Sequence, residues 1–454
     1  MTRALLHLND LNLCWQTEGE LPTRAIGVAH CSSKGVICGH EAFDKLWIEP
    51  QYCYTQYWQQ FNENSLLPPT AGVRHNADLV FHQLRQLQQS QSGSEQIDQL
   101  LVAPPSHFCN ADFQLLLAVG QSLKLPICSF IDPSIASIAS SEVFLSPQAN
   151  KALYVDMQLH QTLIVEVLRQ DDIWAKGKTT TLSDSGLMPI LNSAAHYLAD
   201  LCISEHRFDP LKIAASSQKL YRLIYSQLLY LDTDFPVEFE TGNSRLTCTV
   251  SAKAWQEMLG RKLAALHSAI GNNADQNTIV CLHDNSQWLT HNLELTHPIH
   301  VVNDENISAY LFKHWSNIVG DELVHIDALA QSREDSQYSQ QGEGDAVGGS
   351  TTPLASHLLV DNTAYSLENG LWITDDNLFL QVHSHPVENA LVELSLNENV
   401  LKTRWRTEGK AISAKIGETF MLHNRRLTFI SVSPPAAPVQ AHVQSQAQSL
   451  SSDQ

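Results

Sequence analysis

The sequence predicts an α/β protein built from two similar halves, followed by a small all-β domain. Three observations carry this reading. Residues 1–150 alternate strand-length apolar runs with segments of helical periodicity, and residues 151–330 repeat the theme. After a polar, glycine-rich stretch at 331–352, the pattern changes to short alternating strands over 353–434.

In the first half, "RALLHL" and "RAIGVAH" read as strands. "ADLVFHQLRQLQQ" places Leu79, Phe81, Leu84 and Leu87 near helical spacing. "DQLLVAPP" is a strand closed by Pro104 and Pro105, and "NADFQLLLAVGQSLKLP" a helix. "ICSFID" is a further strand, and "PSIASIAS" opens a helix with proline in its first turn. The second half opens on a hairpin, "LYVDMQLHQTLIVEV", whose turn runs from Met157 to Gln161. Helices follow at "ILNSAAHYLADLCISEH" and "SQKLYRLIYSQLLYL". The ribbon "FPVEFETGNSRLTCTV" turns at Gly242 and Asn243. Ser251 is the expected cap of the next helix, and a strand "NTIVCLH" and a helix "NISAYLFKHWSNIV" complete the half. The tail at 435–454 is low in complexity and reads as disordered.

The chain has 454 residues, 43% of them hydrophobic, enough for several domains with a sizeable core. A formal net charge of -20 argues against nucleic acid and anionic membrane surfaces, since both need clustered Lys and Arg. Nine scattered cysteines, none in a C-x-x-C pair, fit a reducing compartment. Asn9 and Asp10 interrupt the first apolar run too early for a signal segment, so the expected location is cytoplasmic.

The order of pieces over residues 4–330 resembles the nucleotide-binding domain of the DnaK-type heat-shock chaperones, in the actin-like (ribonuclease H-like) ATPase superfamily. "LLVAPPSHFCNADFQLLLAVGQSLKLPICSFIDPSIASIAS" is similar to a family stretch with a switch proline and a glutamate, placed here at Pro105 and Asp132. "RLTCTVSAKAWQEML" and "NDENISAYLFKHWSNIVGDELVHIDAL" resemble the family's ribbon-plus-helix and its final helix with apolar linker. The resemblance implies a two-lobed fold, with lobes at 1–150 and 151–330, around a nucleotide cleft. It also marks where this chain departs. His7 and Asn9 stand on the aspartate and glycine of the first phosphate turn. Asp156 is kept in the second, but Gln158, Leu159 and His160 replace its glycine run. His283 and Asp284 replace the adenosine-motif glycines, and Tyr225 and Leu228 stand on the adenine-contacting helix.

Glycines let backbone N–H groups approach phosphate oxygens and permit positive φ. Side chains in their place fill the space that the phosphates need, and a neutral imidazole is no substitute for a carboxylate facing hydrated magnesium. The expectation is therefore a pseudo-ATPase without cofactor or metal, serving protein partners as a chaperone-like scaffold or adaptor. The rival is an active chaperone binding ATP and magnesium, with Asp10, Asp132 and Asp156 as carboxylates. Asp156 reads as a turn residue, and Cys14 and Cys281 as packing residues.

The C-terminal part resembles a forkhead-associated β-sandwich, on "YSLENGLWITDD", "SHPVENALVELSL" and a closing segment with Gly417, Phe420, Leu422 and Leu427. That implies phosphopeptide binding, yet Thr374 and Asp375 follow Ile373 where the family has its arginine, the cation that grips phosphate. The alternative is a shortened chaperone peptide-binding domain beginning near Thr352. His383 and His385 share a strand face and read as surface residues.

Overall fold

A computed structural model describes residues 1–330, apart from 21, 71, 92–96, 147–148, 229–232, 242–243, 294, 296 and 321, together with eight strands between residues 357 and 430. The chain divides into two compact units, Met1–Asp345 and Ala346–Gln454.

The first unit contains two six-stranded sheets in which five strands follow the same order, the sixth lying at opposite edges. In one, Arg3–His7 pairs antiparallel with Leu13–Thr17, which pairs with Thr23–Ala25. On its other side lie the parallel strands Gln99–Ala103 and Ile127–Ile131. In the other, Lys151–Met157 pairs antiparallel with Gln161–Gln170, which pairs with Ile173–Ser183. Its parallel neighbours are Thr278–His283 and Ile299–Val302. The central strands are buried on both faces, which is why they read as continuous apolar runs. One segment serves both sheets: His325–Ile326 extends the first beside Phe130, and Ala328–Ala330 extends the second beside Trp174.

The halves share their cores. Leu11, Val28 and Phe43 of the first half pack with Leu191, Tyr221 and Leu259 of the second. Leu5, Ile131 and Ile135 pack with Tyr154, Leu163 and Cys281. The helix Pro133–Ala139 lies within this second cluster, every residue buried. Asp132 caps it, accepting the Ser134 N–H at 2.9 Å.

Two local expectations change. "RAIGVAH" is not one strand but Thr23–Ala25 and Ala29–Ser32. Gly27 sits at the break, its N–H donating to the Asp10 carbonyl at 2.6 Å. A Cβ there would stand 2.7 Å from Asp10 Cβ, so only glycine allows this approach. The helix Ala252–Asn273 does follow Ser251, but its cap is distant in sequence: the Asp234 carboxylate accepts the Ala252 N–H at 2.8 Å. No helix among the described residues is long and apolar enough to cross a membrane.

The described part of the second unit is all-β: two four-stranded antiparallel sheets. One orders Thr363–Ser366, His357–Val360, Arg425–Ile430 and Thr419–Leu422, with Phe420 opposite Leu427. The other orders Leu380–His383, Leu371–Asp375, Val392–Asn397 and Val400–Trp405, with His383 opposite Trp372. The expected linker, the tail, Gly417 and His385 lie outside the described residues.

Candidate functional site

The equivalent central strands of the two sheets end at His7 and Met157, and the turns that follow them meet. Asn9 folds its own turn by accepting the Leu11 N–H at 2.8 Å. Its amide nitrogen then crosses to the other half, donating to Asp156 Oδ1 at 2.6 Å and to the Met157 carbonyl at 3.0 Å. Asp10 crosses as well, its Oδ1 accepting the Leu159 N–H at 2.7 Å.

The turn after Met157 is filled by its own side chains. Gln158 donates to Asp156 Oδ2 at 3.0 Å, Gln161 to Gln158 at 2.8 Å, and Gln59 of the first half to Gln161 at 3.2 Å. Leu159 is fully buried, and His160 meets the Thr55 hydroxyl at 2.8 Å. The helix Leu187–His206 begins beneath this turn. Its first amides would suit an anion, because helix N-termini carry unpaired N–H groups and a positive dipole end. Here they are taken: Leu187 N–H donates to the Gln158 carbonyl at 3.0 Å and Met188 N–H to the Leu159 carbonyl at 2.7 Å. Gly186 permits the contact, since a Cβ there would lie 2.5 Å from the Gln161 nitrogen and 2.6 Å from the Gln158 carbonyl oxygen.

Beside this turn lies a buried ionic cluster centred on Asp304. Its Oδ1 meets His7 Nδ1 and His283 Nε2, both at 3.1 Å. Its Oδ2 takes Asn12 Nδ2 at 3.2 Å and Arg24 Nε at 3.4 Å, and Arg24 also pairs with Glu305 at 2.7 Å. His283 Nδ1 lies 3.0 Å from Asp284. Burial alone would pull the His283 imidazole down, but Asp304 and Asp284 outweigh it and hold it well above its ordinary value. Burial would likewise raise Asp304, but His283 and His7 hold it well below the usual carboxylate range. The two shifts together favour an ion pair between His283 and Asp304. The ligand atoms of His7, His283 and Asp304 lie within 4.8 Å of one another. The two buried carboxylates of the facing turns, Asp10 and Asp156, move the opposite way from Asp304. Burial raises Asp156, and burial together with Asp156 pushes Asp10 up to about 7 against its backbone hydrogen bonds.

The structure thus gathers His7, Asn9, Asp10, Asp156, Gln158, Leu159, His283 and Asp284 around one junction, with His160 at its rim. It does not gather the rest. Leu228 is part of the apolar core, and Tyr225 stands 6.2 Å from Phe43. Asp132 serves a different contact between the halves: Oδ1 accepts from Ser106 and Ser134, and Oδ2 pairs with Lys176 at 2.7 Å. The residues that sequence reasoning missed are Asp304, Gln161, Asn12, Arg24 and Lys176. Asn303-Asp304-Glu305 is visible as a helix start, with Asn303 accepting the Asn306 N–H at 2.8 Å, but nothing local marks Asp304 as a hub. A second group with metal-ligating side chains, Glu205, His206 and Cys248, lies outside this junction.

No protein-family model matches the chain, and no curated protein is significantly similar to it.

Proposed function

We propose that the chain is a chaperone-like pseudo-ATPase, a scaffold or adaptor for protein partners whose ancestral nucleotide cleft has become an internal joint. One observation carries the reading. The Leu159 amide, which stands where the resemblance puts a phosphate-binding donor, is bonded to Asp10 across the halves. The neighbouring helix amides are bonded to the same turn. A triphosphate binds through free amide donors and a divalent cation. Here the amides are spent on protein oxygens, and Asp304 is already faced by Arg24, His7 and His283. The order repeated over five strands of each sheet supports the duplicated fold that the resemblance implies. The net charge of -20 favours protein partners over nucleic acid.

The test is thermal unfolding of the full chain with and without millimolar magnesium and ATP, alongside phosphate release. Ligand at a hundredfold above Kd would stabilise by ~2.7 kcal/mol. The expected result is an unchanged Tm and no phosphate release. A concentration-dependent rise in Tm would overturn the reading in favour of an ATP-dependent chaperone.

A further inference from the structure

The last helical turn of Leu187–His206 and the hairpin packed on it hold an unusual set of side chains. Cys202, Glu205 and His206 stand at positions i, i+3 and i+4, one face of one turn. The hairpin of Phe235–Thr241 and Ser244–Val250 brings Cys248 to that face, opposite Val237 in its own ribbon. Cys248 Sγ lies 3.1 Å from Cys202 Sγ. One ligand atom each from Glu205, His206 and Cys248 lies within 4.8 Å of the others. Both thiols are buried, whereas the Glu205 and His206 side chains are 42% and 29% exposed, so the cluster is closed on its sulfur side and open to solvent on the other.

We propose that Cys202, Glu205, His206 and Cys248 bind one zinc ion as a structural site joining the end of the helix to the hairpin. This goes beyond the scaffold reading, which assigns the protein no metal.

The donor set selects the metal. Two sulfurs, an imidazole and a carboxylate match the borderline softness of zinc, and hard cations such as magnesium and calcium take oxygen ligands instead. Bond lengths of ~2.0 to 2.3 Å in a tetrahedral site set ligand atoms about 3.3 to 3.8 Å apart. The thiols stand 3.1 Å apart and the Glu205, His206 and Cys248 ligand atoms lie within 4.8 Å of one another, so the trio must contract around the ion and Cys202, which lies beside Cys248 but outside that trio, must turn toward it. Supporting groups are in place. His206 Nε2 is 2.9 Å from the Thr247 carbonyl, an outer contact of the kind that orients a ligating imidazole. Arg207, in the left-handed region at φ 56, ends the helix directly after His206, with its N–H on the Ile203 carbonyl at 2.9 Å. Four protein ligands leave no open coordination position, which makes the site structural rather than catalytic. A thiol pair serving only to pack would need neither the imidazole nor the carboxylate over its open side.

The experiment is cobalt titration of the metal-stripped full chain, with zinc measured in the protein as purified from zinc-supplemented medium. The expected results are one zinc per chain and a thiolate-to-cobalt charge-transfer band that saturates at one equivalent and is lost in Cys248→Ser. Because that variant could misfold, the wild-type chain is also alkylated before and after chelation. Zinc should shield Cys202 and Cys248, with chelation raising their labelling at least several-fold, while exposed Cys109 reacts equally in both states. Absence of the band, a band that survives Cys248→Ser, labelling indifferent to chelation, or a Cys202–Cys248 disulfide in the purified protein would each overturn the assignment.

Discussion

Trp47 lies flat on Tyr221, ring centroids 4.0 Å apart and planes 16° from parallel. One ring belongs to the first half of the chain and the other to the second. The Trp47 N–H donates to Gln218 at 3.3 Å, and Arg222 of the same helix pairs with Asp44 at 2.6 Å. This contact is separate from the turn-to-turn junction at Asp10 and Leu159. The halves are therefore tied at more than one place, and a hinge between them would have to break both.

Trp47→Ala should lower unfolding stability by about 2 to 3 kcal/mol, less than a fully buried tryptophan would, with Trp47→Phe intermediate. Urea denaturation followed by far-UV circular dichroism measures this. Equal stability of all three proteins would show that the stack does not hold the halves together.

Asp304→Ala removes the partner of two buried imidazoles, an arginine and an asparagine together. Breaking a buried ion cluster from one side costs roughly 3 to 5 kcal/mol, because the opposing charge stays behind without compensation. The variant should unfold at correspondingly lower denaturant. A loss under ~1 kcal/mol, the scale of a surface pair, would mean that Asp304 is no hub.

Asp10 gives the fold a pH dependence of definite sign. Its folded pKa, about 7, stands above its ordinary 3.8. Below both values the group is protonated in either state and costs nothing. As pH rises from about 4 to about 7 the unfolded chain releases the proton while the folded chain keeps it, so stability falls through that window and then levels. Asp10→Asn preserves an oxygen acceptor for the Leu159 N–H and removes the titration. It should be the more stable protein at pH ~8, by up to about 4 kcal/mol, with a flatter profile between pH ~4 and ~7. Parallel profiles for the two proteins would contradict the buried, raised carboxyl.

Two glycines make a matched pair. Gly186→Ala drives a methyl to 2.5 Å from backbone atoms of the 158–161 turn, which must then move. Gly260, within the helix Ala252–Asn273, has open space around it. Gly186→Ala should destabilise by more than ~2 kcal/mol, whereas Gly260→Ala should stabilise by about 0.5 to 1 kcal/mol through helix propensity. Melting curves of the two variants separate steric demand from general tolerance of alanine.

Much of the first unit was legible because its strands are buried on both faces and so appear as unbroken apolar runs. The hairpin at 151–170 was visible for that reason, and the ribbon at 235–250 from its alternation of buried and exposed residues; its expected turn at Gly242 and Asn243 lies outside the described residues. The crowded turn at Gln158, Leu159 and His160 could be read because bulky residues stand in a position where flanking strands suggest a tight loop. What could not be read is long-range pairing. His7 and Asp304 are 297 residues apart, and neither has a local pattern pointing to the other. Ser251 sits where a cap belongs, yet Asp234 supplies the bond. Cys202 and Cys248 lacked any short-spacing motif because a helix and a hairpin, not one loop, bring them together.

The most direct test of the filled junction is a crystal structure of the full chain grown with magnesium and ATP at high concentration. The account predicts that the Leu159 N–H stays on the Asp10 carboxylate and that no triphosphate lies against the 156–160 turn. An ordered triphosphate there, with Leu159 displaced and a metal beside Asp10 or Asp156, would contradict it.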